Sequence, residues 1–389
     1  MIHYSFSTAQ RIVAGAGTLD TIGDTAKALG AGVRRALIVT QPSMLRSGAA
    51  ERAAARLAAA GVAADVRTGI EPEPTRDNIE AFHRSIAHEP YDVYIGLGGG
   101  SVLDATKLLA ALRTNDSGIE EMLGTDRVSR AGLPTILVPT TSGTGSEVTP
   151  NAIVTFPEQE LKIGVVSRHL LPNAAILDPE LTIPLPGPVT AATGMDAFTH
   201  ALESYISNKA NPISDMFALE SIRLLSRCLV EAYENGTSLA AREAMLIGSM
   251  FGGMALTSAG TAAVHALAYP LGGKFGITHG VANSMLLRHV MEFNMDAIAN
   301  RLHAVAQAMN VPGAASMSAA RASEAVVARI AVWTERMDIP QNLTEFGVAA
   351  EDVPELAVAA SKVTRLLNNN PKPLDLGDME RIYRQLLPR

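Results

Sequence analysis

Tyr91-Asp-Val-Tyr-Ile-Gly-Leu-Gly98-Gly99-Gly100-Ser101 places three consecutive glycines between a short apolar run and a residue suited to begin a helix. The apolar run reads as a strand and Ser101 to Arg113 as the helix after it. Glycines at such a junction let the main chain approach a phosphate, and the free N–H groups of the helix start attract its charge. A tight turn with Ser101 as N-cap and Asp104 closing a capping box accounts for the same residues. The spacing is not G-x-G-x-x-G, so the turn does not by itself identify an ordinary dinucleotide-binding domain.

Working outward, strand and helix signals alternate. Strands are expected at Arg35–Thr40, Ala64–Thr68, Thr135–Pro139 and Ala174–Asp178, with helices at Ser43–Ala60 and Thr75–His88. This alternation indicates βαβ units and a mainly parallel sheet. Ala152–Phe156 and Lys162–Val166, joined by Pro157-Glu-Gln-Glu160, read as a hairpin. Beyond Ile183-Pro-Leu-Pro-Gly-Pro188, a Pro/Gly break of the kind found in linkers, the pattern is helical: 190–207, 212–235, 239–258, 280–294, 296–309 and 316–337. The expected class is therefore α/β plus all-α, divided into residues 1–185 and 186–389.

Two further segments carry chemistry. Pro139-Thr-Thr-Ser-Gly-Thr-Gly-Ser146-Glu147 follows a strand and offers five hydroxyls that suit phosphate, ribose or carboxamide, or form a polar surface turn. In Gly194-Met-Asp196-Ala-Phe-Thr-His200, Asp196 and His200 are four apart on a predicted helix and share a face, the spacing for two ligands of one cation. His265 follows the small residues Gly260-Thr-Ala-Ala-Val264, and His279 stands between Gly276 and Gly280, in a loop or at a helix junction. One carboxylate and three imidazoles suit Fe(II), Zn(II), Mn(II), Co(II) or Ni(II), with no thiolate to select zinc. Each histidine taken alone reads first as a satisfied core group, the reading given to His3, His83, His88, His169, His289 and His303.

The composition excludes several classes. A net charge of −7 with scattered Lys and Arg argues against nucleic acid. The start of the chain lacks the basic and apolar regions of a signal peptide, and no run of about 18 apolar residues suggests a membrane span. The one cysteine, Cys228, precludes an intrachain disulfide, reads as a buried thiol and fits a cytoplasmic setting.

Taken together, Gly98-Gly-Gly-Ser-Val-Leu-Asp-Ala-Thr-Lys107, Val138-Pro-Thr-Thr-Ser-Gly-Thr-Gly-Ser-Glu-Val148, Gly194-Met-Asp-Ala-Phe-Thr-His-Ala-Leu-Glu203 and the stretch from His265 to Gly280 closely resemble the iron-containing (group III) alcohol dehydrogenase family. The likeness runs from Arg11-Ile-Val-Ala-Gly to Asn370-Pro371. It implies an N-terminal Rossmann-like domain, a C-terminal helical-bundle domain in a dehydroquinate synthase-like architecture, and a homodimer. It also implies hydride transfer between a nicotinamide and a small alcohol or aldehyde.

Asp196, His200, His265 and His279 match the metal-ligand positions, Gly98, Gly99, Gly100 and Ser101 the pyrophosphate turn, and Asp104, Thr140, Thr141, Thr144, Asn151 and Lys162 the cofactor site. Gln41 stands where many members carry an Asp that receives the adenosine ribose, so NAD and NADP both remain open. Tyr269 stands where many have a second histidine near the nicotinamide; with His265 it is the candidate catalytic residue, as a proton relay or a spacer. A dehydroquinate synthase-like lyase is disfavoured by Asp196 and the sparse basic residues. A hydroxyacid or oxoacid oxidoreductase rests on Arg365 in Thr364-Arg-Leu-Leu-Asn-Asn-Asn370-Pro-Lys372, where a guanidinium could hold a carboxylate or simply favour a helix C-terminus. A non-catalytic binding protein is the third class.

Overall fold

The computed structural model describes residues 4–159 and 161–388; Glu160 of the expected hairpin turn and His3 lie outside them. Nine strands are described: β1 (Arg11–Ala14), β2 (Arg35–Thr40), β3 (Ala63–Arg67), β4 (Val93–Gly98), β5 (Gly124–Thr125), β6 (Thr135–Pro139), β7 (Asn151–Phe156), β8 (Leu161–Val166) and β9 (Ala174–Leu177). Six of them form a parallel sheet in the order β1-β9-β6-β4-β2-β3. The expected hairpin is present: β7 and β8 pair antiparallel, and β5 adds to β8 in a second, three-stranded sheet. The central strand β4 is buried along its whole length, and a two-sided burial of this kind is why it reads as a continuous apolar run.

The helices of this half are α1 (Ile22–Ala28), α2 (Pro42–Arg46), α3 (Ala49–Ala59), α4 (Arg76–Ile86), α5 (Gly100–Leu112) and α6 (Ile119–Met122). The single helix expected over 43–60 is two, because Gly48 takes φ 77° and ends the first. The capping box expected at Ser101 is also corrected. Helix α5 starts one residue earlier with Gly99 as its N-cap, and the Ser101 hydroxyl instead accepts from the Glu73 N–H at 3.0 Å.

From Gly187 onward only helices are described: α7 (Gly187–Ile206), α8 (Pro212–Glu234), α9 (Leu239–Ala259), α10 (Ala263–Phe275), α11 (His279–Ala308), α12 (Ala319–Arg336), α13 (Val353–Ser361), α14 (Thr364–Leu367) and α15 (Leu376–Arg384), apart from short 3₁₀ turns. The helices expected at 280–294 and 296–309 are one continuous α11. Helix α10 was not expected at all, since Pro270 and Gly272-Gly273 oppose a helix locally. Every residue from Ala263 to Gly272 is buried, and the tertiary environment overrides the local preference.

Helices α7 to α13 and α15 contribute to one large core that includes Phe198, Leu225, Leu267, Leu286 and Trp333. Helix α9 is, among the described residues, the one helix long and apolar enough to cross a membrane; 67% of its apolar window is buried inside the fold, against α7 and α8. Cys228 is half-buried at the edge of the core rather than enclosed by it.

Candidate metal and dinucleotide site

Asp196 and His200 lie one turn apart on α7, as their spacing requires. His265 comes from the first turn of α10 and His279 is the first residue of α11. One ligand atom from each of the four lies within 4.8 Å of every other. The Nε2 atoms of His200, His265 and His279 stand 3.9, 3.9 and 3.7 Å from the same oxygen, Asp196 Oδ1. A tetrahedral site with metal–nitrogen bonds of about 2.1 Å has ligand atoms about 3.4 Å apart, so the set needs only a small contraction to close on one ion.

Two contacts fix which ring nitrogens face inward. His200 Nδ1 is 3.2 Å from the Gly143 carbonyl, which can only accept, so Nδ1 carries the proton and Nε2 keeps its lone pair. His265 Nδ1 lies 2.6 Å from Glu203 Oε2 and is set the same way. Glu203 is fully buried and also accepts from the N–H groups of Val264 at 2.6 Å and Ala262 at 2.9 Å. It therefore fixes both the His265 ring and the backbone that starts α10, a partner of the kind that orients metal-ligating histidines.

The electrostatics favour a cation. Burial pushes the Asp196 carboxyl up, but the facing imidazoles and the Asn283 amide outweigh it and hold the carboxyl below its usual range. Burial drives His200 down, and lowers His279 to about 3 with help from His265 and Lys162. An ionised Asp196 carboxylate beside neutral His200 and His279 imidazoles is the protonation state of a ligand set. Asn283 Nδ2 donates toward Asp196 Oδ1 at 2.8 Å and stands 3.2 Å from both His265 Nε2 and His279 Nε2. One amide has two hydrogens for these three acceptors, while its own Oδ1 has no partner among the described residues. Lone pairs outnumber hydrogens at this point, and a divalent ion fits the deficit.

The glycine turn faces the same space. A Cβ on Gly100 would sit 2.5 Å from Thr144 Cγ2, so only glycine lets the polar loop close against the start of α5. Gly145, at φ 62°, brings that loop onto α9, where its Cβ would lie 2.6 Å from Gly253 Cα. Thr140 is fully buried and its hydroxyl has no partner among the described residues. A glycine cradle at a helix start, with an unpartnered hydroxyl beside it, fits a dinucleotide phosphate and its sugar.

Gly100, Ser101, Asp104, Thr144, Lys162, Tyr269 and His279 border one common cavity, while Asn151 borders an adjoining one that also touches His200 and His265. Thr141 packs against Gly99. Gln41 follows the C-terminal end of β2 at the N-cap position of α2, where its side chain donates to Ser43 Oγ at 2.9 Å. The phenol of Tyr269, whose ring centroid is 6.1 Å from that of His279, is raised by burial, which suits a neutral hydrogen-bonding group better than a base.

Four residues that sequence reasoning did not single out hold this arrangement: Glu203, Asn283, Lys107 and Glu73. Lys107 is wholly buried under the polar loop, pairing with Asp104 at 3.1 Å and donating to the carbonyls of Ser146 at 3.0 Å and Asn151. Asp104 in turn accepts from Ser146 Oγ and from the Ile153 N–H, so it ties α5 to the loop rather than capping its own helix. Glu73, in the left-handed region at φ 52°, pairs with Lys162 at 2.8 Å and accepts from the His279 N–H at 3.2 Å. It joins the sheet side to the first turn of α11. The signals were Glu203 and Lys107 inside the family-like strings; nothing local marks Asn283 or Glu73.

A parallel-sheet glycine turn facing a three-histidine, one-carboxylate cluster in a helical bundle defines a metallo-oxidoreductase architecture. The family model described as iron-containing alcohol dehydrogenase matches residues 9–179, and the model of that family's C-terminal domain matches residues 190–387. Long-chain-alcohol dehydrogenase 1 of Geobacillus thermodenitrificans is 38% identical over 372 residues, covering 95% of this chain and 93% of that one. NAD-dependent methanol dehydrogenase of Bacillus methanolicus is 31% identical, covering 96% and 97%. Among solved structures, a 1,3-propanediol oxidoreductase superposes with a TM-score of 0.94 at 34% identity, covering 99% of this chain and all of that one. The chain belongs to the iron-containing alcohol dehydrogenase family and is an oxidoreductase of alcohols and aldehydes.

Proposed function

We propose that this chain is an iron-dependent, NAD-linked alcohol dehydrogenase and aldehyde reductase, with Asp196, His200, His265 and His279 as the metal ligands. The convergence of those four ligand atoms within 4.8 Å, beside the glycine turn, carries this reading. Bound there, a divalent ion supplies Lewis-acid polarisation of an alcohol or aldehyde oxygen. The chain's own residues do the rest. Glu203 and the Gly143 carbonyl keep the His265 and His200 lone pairs aimed inward. The turn from Gly98 to Ser101 receives the pyrophosphate with backbone N–H groups, and Asp104, Thr140, Thr141, Thr144, Asn151 and Lys162 surround the rest of the cofactor. Tyr269 closes the wall between cofactor and substrate and offers a hydrogen bond to the substrate or nicotinamide.

NAD is favoured by the cofactor that the methanol dehydrogenase relative's name carries. Gln41 lacks the charge that would repel a 2′-phosphate, so NADP is accepted as well. The Pro/Gly break at Ile183–Pro188 supports division into two domains there, the lone cysteine a cytoplasmic setting, and the family resemblance a homodimer; gel filtration tests the last. The reaction is tested by loading the protein with Fe(II) and following reduced-cofactor absorbance with NADH and with NADPH across a panel of aldehydes. Turnover that disappears on chelation supports the reading; a chain inert with every aldehyde and both cofactors refutes it.

A further inference from the structure

The four residues of the metal cluster are not equally supported. The side chains of Asp196, His200 and His265 are at most 8% exposed, and each is held by a neighbour: the Asn283 amide, the Gly143 carbonyl and Glu203. The His279 side chain is 28% exposed, and its Nδ1 has no acceptor among the described residues. His279 is also the first residue of α11, and that helix does not cap itself. Thr278 at the N-cap makes no side-chain bond, and the first turn carries no acidic residue. The free N–H groups and positive end of a 30-residue helix are left to be satisfied from elsewhere.

Glu73 reaches them from the opposite wall. Its Oε1 accepts from the His279 N–H at 3.2 Å, and its Oε2 pairs with Lys162 at 2.8 Å. Lys162 is itself buried and wedged, since a Cβ on Gly272 of α10 would lie 2.9 Å from Nζ. The main chain of Glu73 is tied as well. Its N–H donates to Ser101 Oγ and its carbonyl accepts from Thr155 Oγ1, each at 3.0 Å. Pro72 and Pro74 flank it. A glutamate at φ 52° before a proline holds that conformation only where its surroundings impose it. Held at four points, Glu73 is a fixed post. On the far side of His279, Gly280 presses the start of α11 onto α7, where a Cβ would lie 2.4 Å from the Ala192 carbonyl oxygen. His279 is thus fixed between Glu73 and the helix that carries Asp196 and His200.

We propose that Glu73 is a positioning residue of the metal site: it caps α11 from the sheet side and holds the His279 backbone where its ring closes on the ion. Glu73 touches no ligand atom; it acts through the main chain of the one imidazole that lacks a partner behind its ring. This rests on the metal-ligand reading above and adds that the wall receiving the cofactor also sets part of the metal affinity.

The test is Co(II) affinity of the full chain stripped of metal, measured by competition with a chromophoric chelator, with circular dichroism as the check on folding. Glu73→Gly removes the carboxylate while relieving the left-handed backbone, so the fold should persist. Its Co(II) affinity should fall by about 10–100-fold. Glu73→Gln keeps an acceptor oxygen for the His279 N–H and should recover part of that loss. Thr155→Val cuts a main-chain tie of the same segment but spares the carboxylate, and should leave the affinity where it was. Wild-type affinity in Glu73→Gly, no recovery in Glu73→Gln, or an equal loss in Thr155→Val overturns this inference alone. A wild type that takes up no Co(II) overturns the metal-ligand reading and this inference with it.

Discussion

The two walls of the cleft are built from different materials. On the sheet side, the groups facing the cavity are main-chain N–H groups of the glycine turn and the hydroxyls of the polar loop, propped from below by one buried lysine, Lys107. On the helical side they are side-chain lone pairs, two of them aimed by an acceptor behind the ring: Glu203 behind His265 and the Gly143 carbonyl behind His200. A backbone wall tolerates changes of side chain but not of loop shape. A wall of lone pairs tolerates small shifts of backbone but not the loss of one ligand or of its orienting partner. The Gly143 carbonyl belongs to the polar loop, so the first wall also aims part of the second.

The largest effect should come from the helical wall. Asp196→Ala and His265→Ala are each expected to lower kcat by about 1000-fold or more while leaving circular dichroism unchanged, since a ligand set short of one member loses its Lewis acid. On the sheet wall the damage should be to stability. Lys107→Met leaves Asp104 and the loop carbonyls without their cation and should cost about 3–5 kcal/mol in urea unfolding, with a raised KM for NADH. A Lys107→Met variant as stable as the wild type would show that the loop needs no prop.

Glu203→Gln tests the acceptor behind His265. It should weaken metal affinity by about 10–100-fold in chelator competition, with the fold retained.

The smallest effect concerns Glu147, buried at the end of the polar loop with Oε1 unpartnered among the described residues. Burial raises its carboxyl from 4.5 to about 7. The folded state therefore holds the proton more tightly than the unfolded chain. Its stabilising contribution is full below pH 4.5 and is lost as pH rises through about 7. Glu147→Gln should accordingly gain about 2 kcal/mol relative to wild type between pH 5 and pH 8, read from thermal unfolding at each pH.

The contrast between the walls also explains what was legible in the sequence. The parallel sheet was readable because β2, β4, β6 and β9 are short apolar runs bounded by turn residues, and the Asp196–His200 pair because a four-residue spacing on a helix is a local signal. His265 and His279 could be added to the pair as histidines among small residues and glycines, but no spacing joins them to it, since they arrive on two other helices; the family resemblance matched all four to ligand positions. Helix α10 was missed because Pro270 and two glycines speak locally against it, while the burial that forms it is tertiary. The orienting groups were out of reach for the same reason: Glu203 meets His265 across 62 residues, Asn283 meets Asp196 across 87, and Glu73 meets His279 across 206. Asp104 was misassigned because a capping box and a clamp between α5 and the polar loop share one local pattern.

Metal analysis of the freshly purified protein reaches the centre of this account without relying on any chosen substrate. The wild type should carry one divalent ion per chain, and Asp196→Ala and His265→Ala, still folded, should carry almost none. An ion content unchanged in either variant would place the metal elsewhere and leave the three imidazoles and the carboxylate as an ordinary polar cluster.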